Sequence, residues 1–232
     1  MNVIVFNGSP HTGNGVTATM IRHLNAGFEE AGATVETYNV YEMDVRPCVG
    51  CFTCWAKTPG RCVHDDDMAD LYPKLSKADI VVLATPVYVD GMTGAMKVML
   101  DRMIPLVRGP IEVRDGHCRH HVPPRKTRAK LLLVSASGFT EMDNFDPLVM
   151  HVKAACKNLD WEYAGALLRP YGWYFPTLER KGVQTQGVYQ ALRHAAKELA
   201  LNGCVSEETA ANVAMELASR DEVLRFYNSY YL

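Results

Sequence analysis

Residues 1–17 read MNVIVFNGSPHTGNGVT. The run 2–6 (NVIVF) is apolar and β-branched, the composition of a strand buried on both faces of a parallel sheet. A polar loop bearing glycines follows directly, and beyond it Met20, Ile21, Leu24 and Phe28 recur at helical spacing up to Ala31-Gly32. Buried strand, glycine loop and helix, in that order, open an α/β fold. The loop joins the carboxyl end of a strand to the amino end of a helix. There the helix supplies roughly half a positive charge and several unbonded amides, so a phosphate is the natural guest. Gly8, Gly13 and Gly15 let amides turn inward, while Ser9, Thr12, Asn14 and Thr17 add side-chain donors. The loop fits neither G-x-x-x-x-G-K-[ST] nor G-x-G-x-x-G, and its lack of a lysine argues against a nucleoside triphosphatase. The bland alternative is an ordinary strand-to-helix turn with a serine or threonine cap.

Working outward, the alternation repeats. Strands are expected at 34–40, at 80–84 before Thr85-Pro86, at 131–135 and at 163–168. Helices are expected at about 68–77 behind Asp65-Asp66-Asp67, then at 94–104, 145–159, 184–201 and 207–219. An aromatic tail (Phe226, Tyr227, Tyr230, Tyr231) closes the chain. Right-handed crossovers leave few topologies for such an order. Five strands favour a flavodoxin-like, doubly wound parallel sheet in the order 2-1-3-4-5, with a ligand at the carboxyl ends of strands one and three. The loops after Phe6, Ala84 and Ser135 should therefore frame the site. We divide the chain into an α/β domain, 1–204, carrying a cysteine segment at 48–62 and a basic insert at 105–128, and a C-terminal helical extension, 205–232, packed on the same domain.

Composition excludes several classes. The chain has 232 residues, 48% hydrophobic and 22% charged, with a net charge of −2, which gives no bulk attraction to nucleic acid or to an anionic membrane. No apolar run approaches the roughly 18 residues of a membrane span. The start reads as a first strand and not as a signal peptide, and seven cysteines in that context point to a reducing cytoplasm.

Beyond the opening loop, Pro86-Val87-Tyr88 leaves the third strand, followed by Gly91, Gly94, Lys97 and Asp101-Arg102. Together with Gly8-Ser9-Pro10-His11, these residues resemble the flavodoxin-like NAD(P)H-dependent FMN reductases, including the iron–sulfur flavoproteins. The resemblance runs from residue 1 to about 104. One departure is that Gly15-Val16 separate Asn14 from Thr17 where the family has Asn followed directly by Thr, so which hydroxyl meets the phosphate stays open.

The resemblance implies FMN as cofactor. It places the phosphate among Ser9, His11, Thr12, Asn14, Gly15, Val16 and Thr17, and the flavin edge against the amides that follow Pro86, with Val87, Tyr88 and Gly91. Ser137 and Gly138 should reach the pyrimidine end. It also implies NAD(P)H or a ferredoxin-like protein as electron donor, a small acceptor such as a quinone or flavin, and a homodimer or homotetramer. Flavin supplies the redox chemistry, so no catalytic side chain is required. Lys97 and Asp101, four apart on a helix, read as a structural ion pair. Two rival readings stand beside the enzyme: a pure electron carrier, and a non-enzymatic thiol redox sensor with an empty phosphate loop.

Two segments remain. In CVGCFTCWAKTPGRC, residues 48–62, four cysteines fall at C-x2-C-x2-C-x7-C. This winding is closer to a cubane iron–sulfur motif than to the paired ligands of zinc sites. Cys48, Cys51, Cys54 and Cys62 are thus candidate ligands of a [4Fe-4S] cluster. Zinc is one alternative, and a loop of reduced thiols covering the flavin, with Phe52 and Trp55 as apolar cover, is another. Cys156 and Cys204 read as small core residues. The insert concentrates Arg108, Arg114, Arg119, Arg125, Lys126 and Arg128 and holds His117, Cys118, His120 and His121 close together. It reads as an irregular, solvated lid near the flavin or as an interface, ahead of a metal site.

Overall fold

The computed structural model describes residues 1–231; Leu232 and the side chain of Tyr231, the last of the expected aromatic tail, lie outside the described residues. The first strand, β1 (Asn2–Asn7), is buried from Val3 onward and leads through the glycine loop into α1 (Val16–Glu30). Then come β2 (Thr34–Asn39), a one-turn helix α2 (Thr53–Ala56) inside the cysteine segment, and α3 (Met68–Leu75). The strand β3 (Ile80–Pro86) is followed by α4 (Gly94–Asp101), which ends earlier than the spacing suggests. The insert forms a hairpin, β4 (Ile111–Arg114) and β5 (His117–His120). The chain continues through β6 (Lys130–Ala136), α5 (Asp146–Leu159) and β7 (Glu162–Arg169). It finishes with α6 (Phe175–Arg180), α7 (Gln186–Asn202), α8 (Glu207–Ala214) and α9 (Arg220–Tyr231).

The main sheet has five parallel strands in the order β2-β1-β3-β6-β7, which is 2-1-3-4-5 once the hairpin is set aside. The flavodoxin-like order expected from the sequence is therefore the one found. Its physical cause is visible in β1, β3 and β6, where alternate apolar side chains serve two different cores. Val3, Val5, Val82 and Val134 pack with α1 and α7 on one face; Ile4, Phe6, Val81, Leu83 and Leu133 pack with α3, α4 and α5 on the other. Strands buried on both faces must be apolar at every position, so they read as continuous runs.

One segment differs from expectation. The insert is an ordered hairpin with Asp115 and Gly116 at its tip in the left-handed region (φ 53° and 75°). It does not cover the carboxyl ends of the strands. Arg119 donates to Asn158 Oδ1 at 2.6 Å, Arg114 donates to the carbonyls of Lys157 and Asn158, and Arg125 donates to the Ala78 carbonyl at 2.8 Å. These contacts sit at the carboxyl end of α5 and just before β3, so the insert lies at the opposite edge of the sheet, its cations meeting a helix's negative end. The aromatic tail is helical. Ser219 and Glu222 form a reciprocal cap in which Ser219 N donates to Glu222 Oε2 at 2.9 Å and Glu222 N to Ser219 Oγ at 3.4 Å. Cys156 is buried in the core as expected, whereas Cys204 is exposed.

Candidate functional site

Loops from β1, β3 and β6 meet at the carboxyl edge of the sheet. The first is braced from inside by Asn7, 2% exposed, an asparagine that the sequence reading passed over. Its side-chain amide donates to the Thr12 carbonyl at 2.6 Å and to Asn39 Oδ1 at 3.1 Å, and its oxygen accepts from the Ser9 amide at 3.1 Å. The buried Thr93 hydroxyl donates to the Gly8 carbonyl at 2.7 Å, which fastens this loop to the start of α4. Ser9 and Thr17 are buried; Thr12, Gly15 and Val16 are half-buried; His11 and Asn14 stand at the exposed rim. Ser9 Oγ accepts from the His11 amide at 3.3 Å. No side chain caps α1, and the amides of Val16, Thr17 and Ala18 donate to no described residue. Those orphan donors at the positive end of a fifteen-residue helix form an anion cradle.

The second loop departs from expectation. The Val87 amide donates to the Ala136 carbonyl at 2.9 Å, and Tyr88 and Gly91 exchange amide-to-carbonyl bonds at 2.9 and 3.1 Å. Val87 and Tyr88 therefore spend their donors inside the protein instead of offering them to a ring. Unbonded amides in this loop include those of Val89 and Asp90, the two central residues of a tight turn, both left-handed at φ 47° and 59°. A β-branched residue at positive φ is a strained choice. Val89 is also almost fully exposed, and the Tyr88 side chain is 46% exposed.

The third loop is shaped by Ser137, whose hydroxyl donates to the Phe139 carbonyl at 3.0 Å. Gly138 is exposed beside it. Residues 170–174 form a further wall that the sequence reading did not foresee. At Gly172 a Cβ would lie 2.9 Å from Ala136 Cβ and 3.5 Å from Val16 Cγ1, so only glycine lets this segment press against both the third loop and the start of α1. Trp173 packs on Phe226, Tyr227 and Tyr230 of α9 with centroids 4.7–5.6 Å apart, bringing the C-terminal helix to the site's edge. The Val223, Phe226, Tyr227, Tyr230 spacing and the S-x-x-E box at Ser219 carried the signal for this helix.

Cys48, Cys51, Cys54 and Cys62 line one small cavity together with Phe52, His64, Arg102 and Pro105. All four are free thiols. Phe52, left-handed at φ 52°, turns the chain between Cys51 and Cys54. Hydrogen bonds from the Thr53 side chain and backbone lower the Cys51 thiol. Burial raises Cys54, and the neighbouring charges of Cys62, Cys48 and Cys51 raise it further. Among the described residues no three His, Cys, Asp or Glu side chains converge as one metal ion requires. The segment does not cover the carboxyl edge. Trp55 donates to the Ile104 carbonyl at 3.2 Å and packs on His120, 4.2 Å between centroids. This is the far end of α4, whose eight residues span about 12 Å. His117 and Cys118 are exposed on the hairpin.

A doubly wound parallel sheet whose first loop is an uncapped helix start, facing a strained turn across the switch point, defines the class of flavodoxin-like proteins. Within that class the chain belongs to the NADPH-dependent FMN reductase family, whose model matches residues 1–138. An iron–sulfur flavoprotein of Methanocaldococcus jannaschii is 35% identical over 106 residues, 46% of this chain and 53% of that protein. One of Archaeoglobus fulgidus is 36% identical over 110 residues, 47% and 49% of the two chains. The matched stretch thus spans about half the length of these relatives. The fold is shared with an FMN-dependent NADH-azoreductase of Bacillus anthracis in complex with FMN, at a TM-score of 0.62 and 16% identity over 86% of this chain and 99% of that one. RosB, with a bound flavin-type intermediate, gives a TM-score of 0.60 at 16% identity over 100% and 88%. No helix among the described residues is long and apolar enough to cross a membrane.

Proposed function

We propose that this chain is an FMN-dependent oxidoreductase that takes electrons from NAD(P)H and passes them to a small acceptor such as a quinone or a flavin. The observation that carries the reading is the cradle of unbonded Val16, Thr17 and Ala18 amides beside the buried Ser9. This donor set fits a phosphate monoester. Ser9, Thr12, Gly15 and Thr17 would line it, His11 and Asn14 would stand at its mouth, and Asn7 and Thr93 hold the loop in shape. Pro86, Val87, Tyr88 and Gly91 would set the turn that presents the Val89 and Asp90 amides to the ring edge, with Ser137 and Gly138 at its other end. When bound, FMN supplies hydride and single-electron chemistry, and the chain's own part is to anchor, orient and donate hydrogen bonds. Residues 205–232 act as an extension of the 1–204 unit, supported by the bond from Val205 N to the Ala164 carbonyl of β7 and by Trp173 on α9.

We extend the reading to a [4Fe-4S] cluster held by Cys48, Cys51, Cys54 and Cys62. In its support, the four thiols line one cavity, and the charges of Cys62, Cys48 and Cys51 raise the Cys54 thiol, a repulsion that cationic iron would offset. A cluster at the far end of α4 suits one-electron exchange with a ferredoxin-like protein at the surface. The test is an absorption spectrum with iron, sulfide and flavin analysis of anaerobically purified protein, followed by NADH and NADPH oxidation with a quinone acceptor. A colourless protein that takes up no FMN would remove the enzyme reading, and flavin without iron would remove the cluster alone. Slow nicotinamide turnover with fast ferredoxin exchange would make it a carrier.

A further inference from the structure

A cavity of about 740 Å³ lies apart from the flavin crevice. It opens between the second half of the cysteine segment, α3 and the arm that follows the hairpin. Its apolar floor includes Tyr72 and Trp161, both less than a tenth exposed, and the successive prolines 123 and 124 stiffen one side. Three guanidinium groups, those of Arg61, Arg108 and Arg125, come to this wall from three separate stretches of chain. Arg108 donates to the Pro105 and Val107 carbonyls at 3.0 and 3.3 Å, and Arg125 to the Ala78 carbonyl. Among the described residues none of the three is paired with a carboxylate. The acid on the wall is Asp65, and Asp79 behind Arg125 is engaged by the Asn2 amide at 2.7 Å. His64 also lines the cavity, and its Nε2 is closed off from solvent with no hydrogen-bond partner among the described residues.

Burial opposes the charge of Arg125. Arg108 and Arg125, half-buried beside an apolar floor and without a carboxylate partner, leave charge to be met by an anion that enters. The ring surface of Trp161 and Tyr72 sets the other half of the recognition.

We propose that this cavity binds a small organic anion with a flat apolar body, of the aromatic carboxylate or sulfonate type, at a site separate from the flavin crevice. The apolar body lies on Trp161 and Tyr72, and the anionic group meets Arg108 and Arg125. Because Cys62 lines the same cavity, the bound anion sits directly against the cysteine segment.

The probe is 8-anilinonaphthalene-1-sulfonate, titrated by its fluorescence into FMN-saturated, anaerobically prepared protein so that the crevice is closed to it. One equivalent should bind. Arg108→Ala and Arg125→Ala should each weaken binding by about tenfold, the loss of one charge-assisted hydrogen bond. N-phenyl-1-naphthylamine, with the same rings and no sulfonate, should bind wild type about tenfold more weakly and ignore both substitutions. Ala69→Trp keeps every arginine but fills the mouth from the exposed face of α3, and should abolish binding of both probes. Sulfonate affinity unchanged in the arginine variants or in Ala69→Trp would overturn the site. Equal affinity for the two probes in wild type, or displacement of the sulfonate by millimolar inorganic phosphate, would overturn the class of ligand.

Discussion

Arg102 and Asp66 form a two-point ion pair, Nη1 to Oδ2 at 2.6 Å and Nη2 to Oδ1 at 3.0 Å, with side chains 1% and 0% exposed. Arg102 Nη1 also donates to the Arg46 carbonyl at 2.6 Å, and the Arg46 amide donates back to Asp66 at 3.1 Å. The three residues close the base of the loop that holds all four clustered cysteines. The neighbouring Lys97–Asp101 pair, 2.6 Å long and about half exposed, lies on the helix surface as its spacing suggested and adds little.

Arg102→Met should cost about 3–5 kcal/mol, because it strands a carboxylate in the interior. Adding Asp66→Asn removes the stranded charge and should restore at least about 1 kcal/mol of that loss. Urea unfolding of the single and double variants measures both. A double variant no more stable than the single would mean that the pair acts through packing alone.

The same pair sets an acid limit. Burial would raise the Asp66 carboxyl, but the Arg102 hydrogen bond, the Arg46 amide and the Arg102 charge outweigh it and hold it below its ordinary value of 3.8. A depressed carboxyl contributes its stability in full above that value and loses it as pH falls through the folded pKa. Wild type should therefore lose stability steeply below about pH 4. In the double variant that acid slope should be shallower, and thermal unfolding between pH 3 and 6 compares them.

Val89 tests whether the strained turn is kept for function. Val89→Gly relieves the left-handed valine at some cost in chain entropy, for a net gain of up to about 1 kcal/mol in stability. Reduction of bound FMN by NADPH should become slower, since the freed turn no longer fixes the Val89 and Asp90 amides. Higher stability with unaltered stopped-flow kinetics would show that the strain serves no role in flavin chemistry.

The parts legible in the sequence were those set by burial on two sides. Val3–Phe6, Ile80–Ala84 and Leu131–Val134 read as central strands, and crossover handedness left few orders for them, of which 2-1-3-4-5 was the one favoured. The parts missed depended on tertiary partners. Asp115-Gly116 is a strong hairpin signal, but Ile111 and Val113 flank it as exposed residues, so no buried face marked the strands. The amides at 87 and 88 looked available because their acceptors, Ala136 and Gly91, are brought there by the neighbouring strand and the turn. One reading of the cysteine segment had it cover the flavin as a loop of reduced thiols. Its real position is set by Trp55 and Arg102, whose partners lie 36 or more residues away in the chain.

Ser9 tests the phosphate cradle. Ser9→Glu sets a carboxylate against the FMN phosphate in a buried loop and should weaken FMN binding by at least ~3 kcal/mol. Ser9→Ala, which adds no charge, should lose less, about 1 kcal/mol. Fluorescence titration of apoprotein with FMN reads both, and circular dichroism checks that each variant is folded. Unchanged affinity in Ser9→Glu would move the phosphate to another place.

Cys51 tests whether the cysteine segment holds a cluster. Its thiol is exposed and lowered by Thr53, whereas Cys54 is buried and raised, so the two ends of one cavity differ in readiness to ionise. With a cluster present, Cys51→Ser should lower iron and sulfide together while FMN stays near one equivalent, because the segment lies at the far end of α4 and shares no residue with the phosphate loop. NADPH should still reduce the flavin in a single turnover, and transfer to a one-electron acceptor should slow. Without a cluster, anaerobic wild type should hold no iron and show four reactive thiols in this segment. A thiol reagent at pH 8 should then label Cys51 first and Cys54 last, since the thiolate is the reacting form and burial shields Cys54. Uniform labelling in iron-free protein would contradict the loop's arrangement, and iron retained in Cys51→Ser would remove Cys51 from the ligand set.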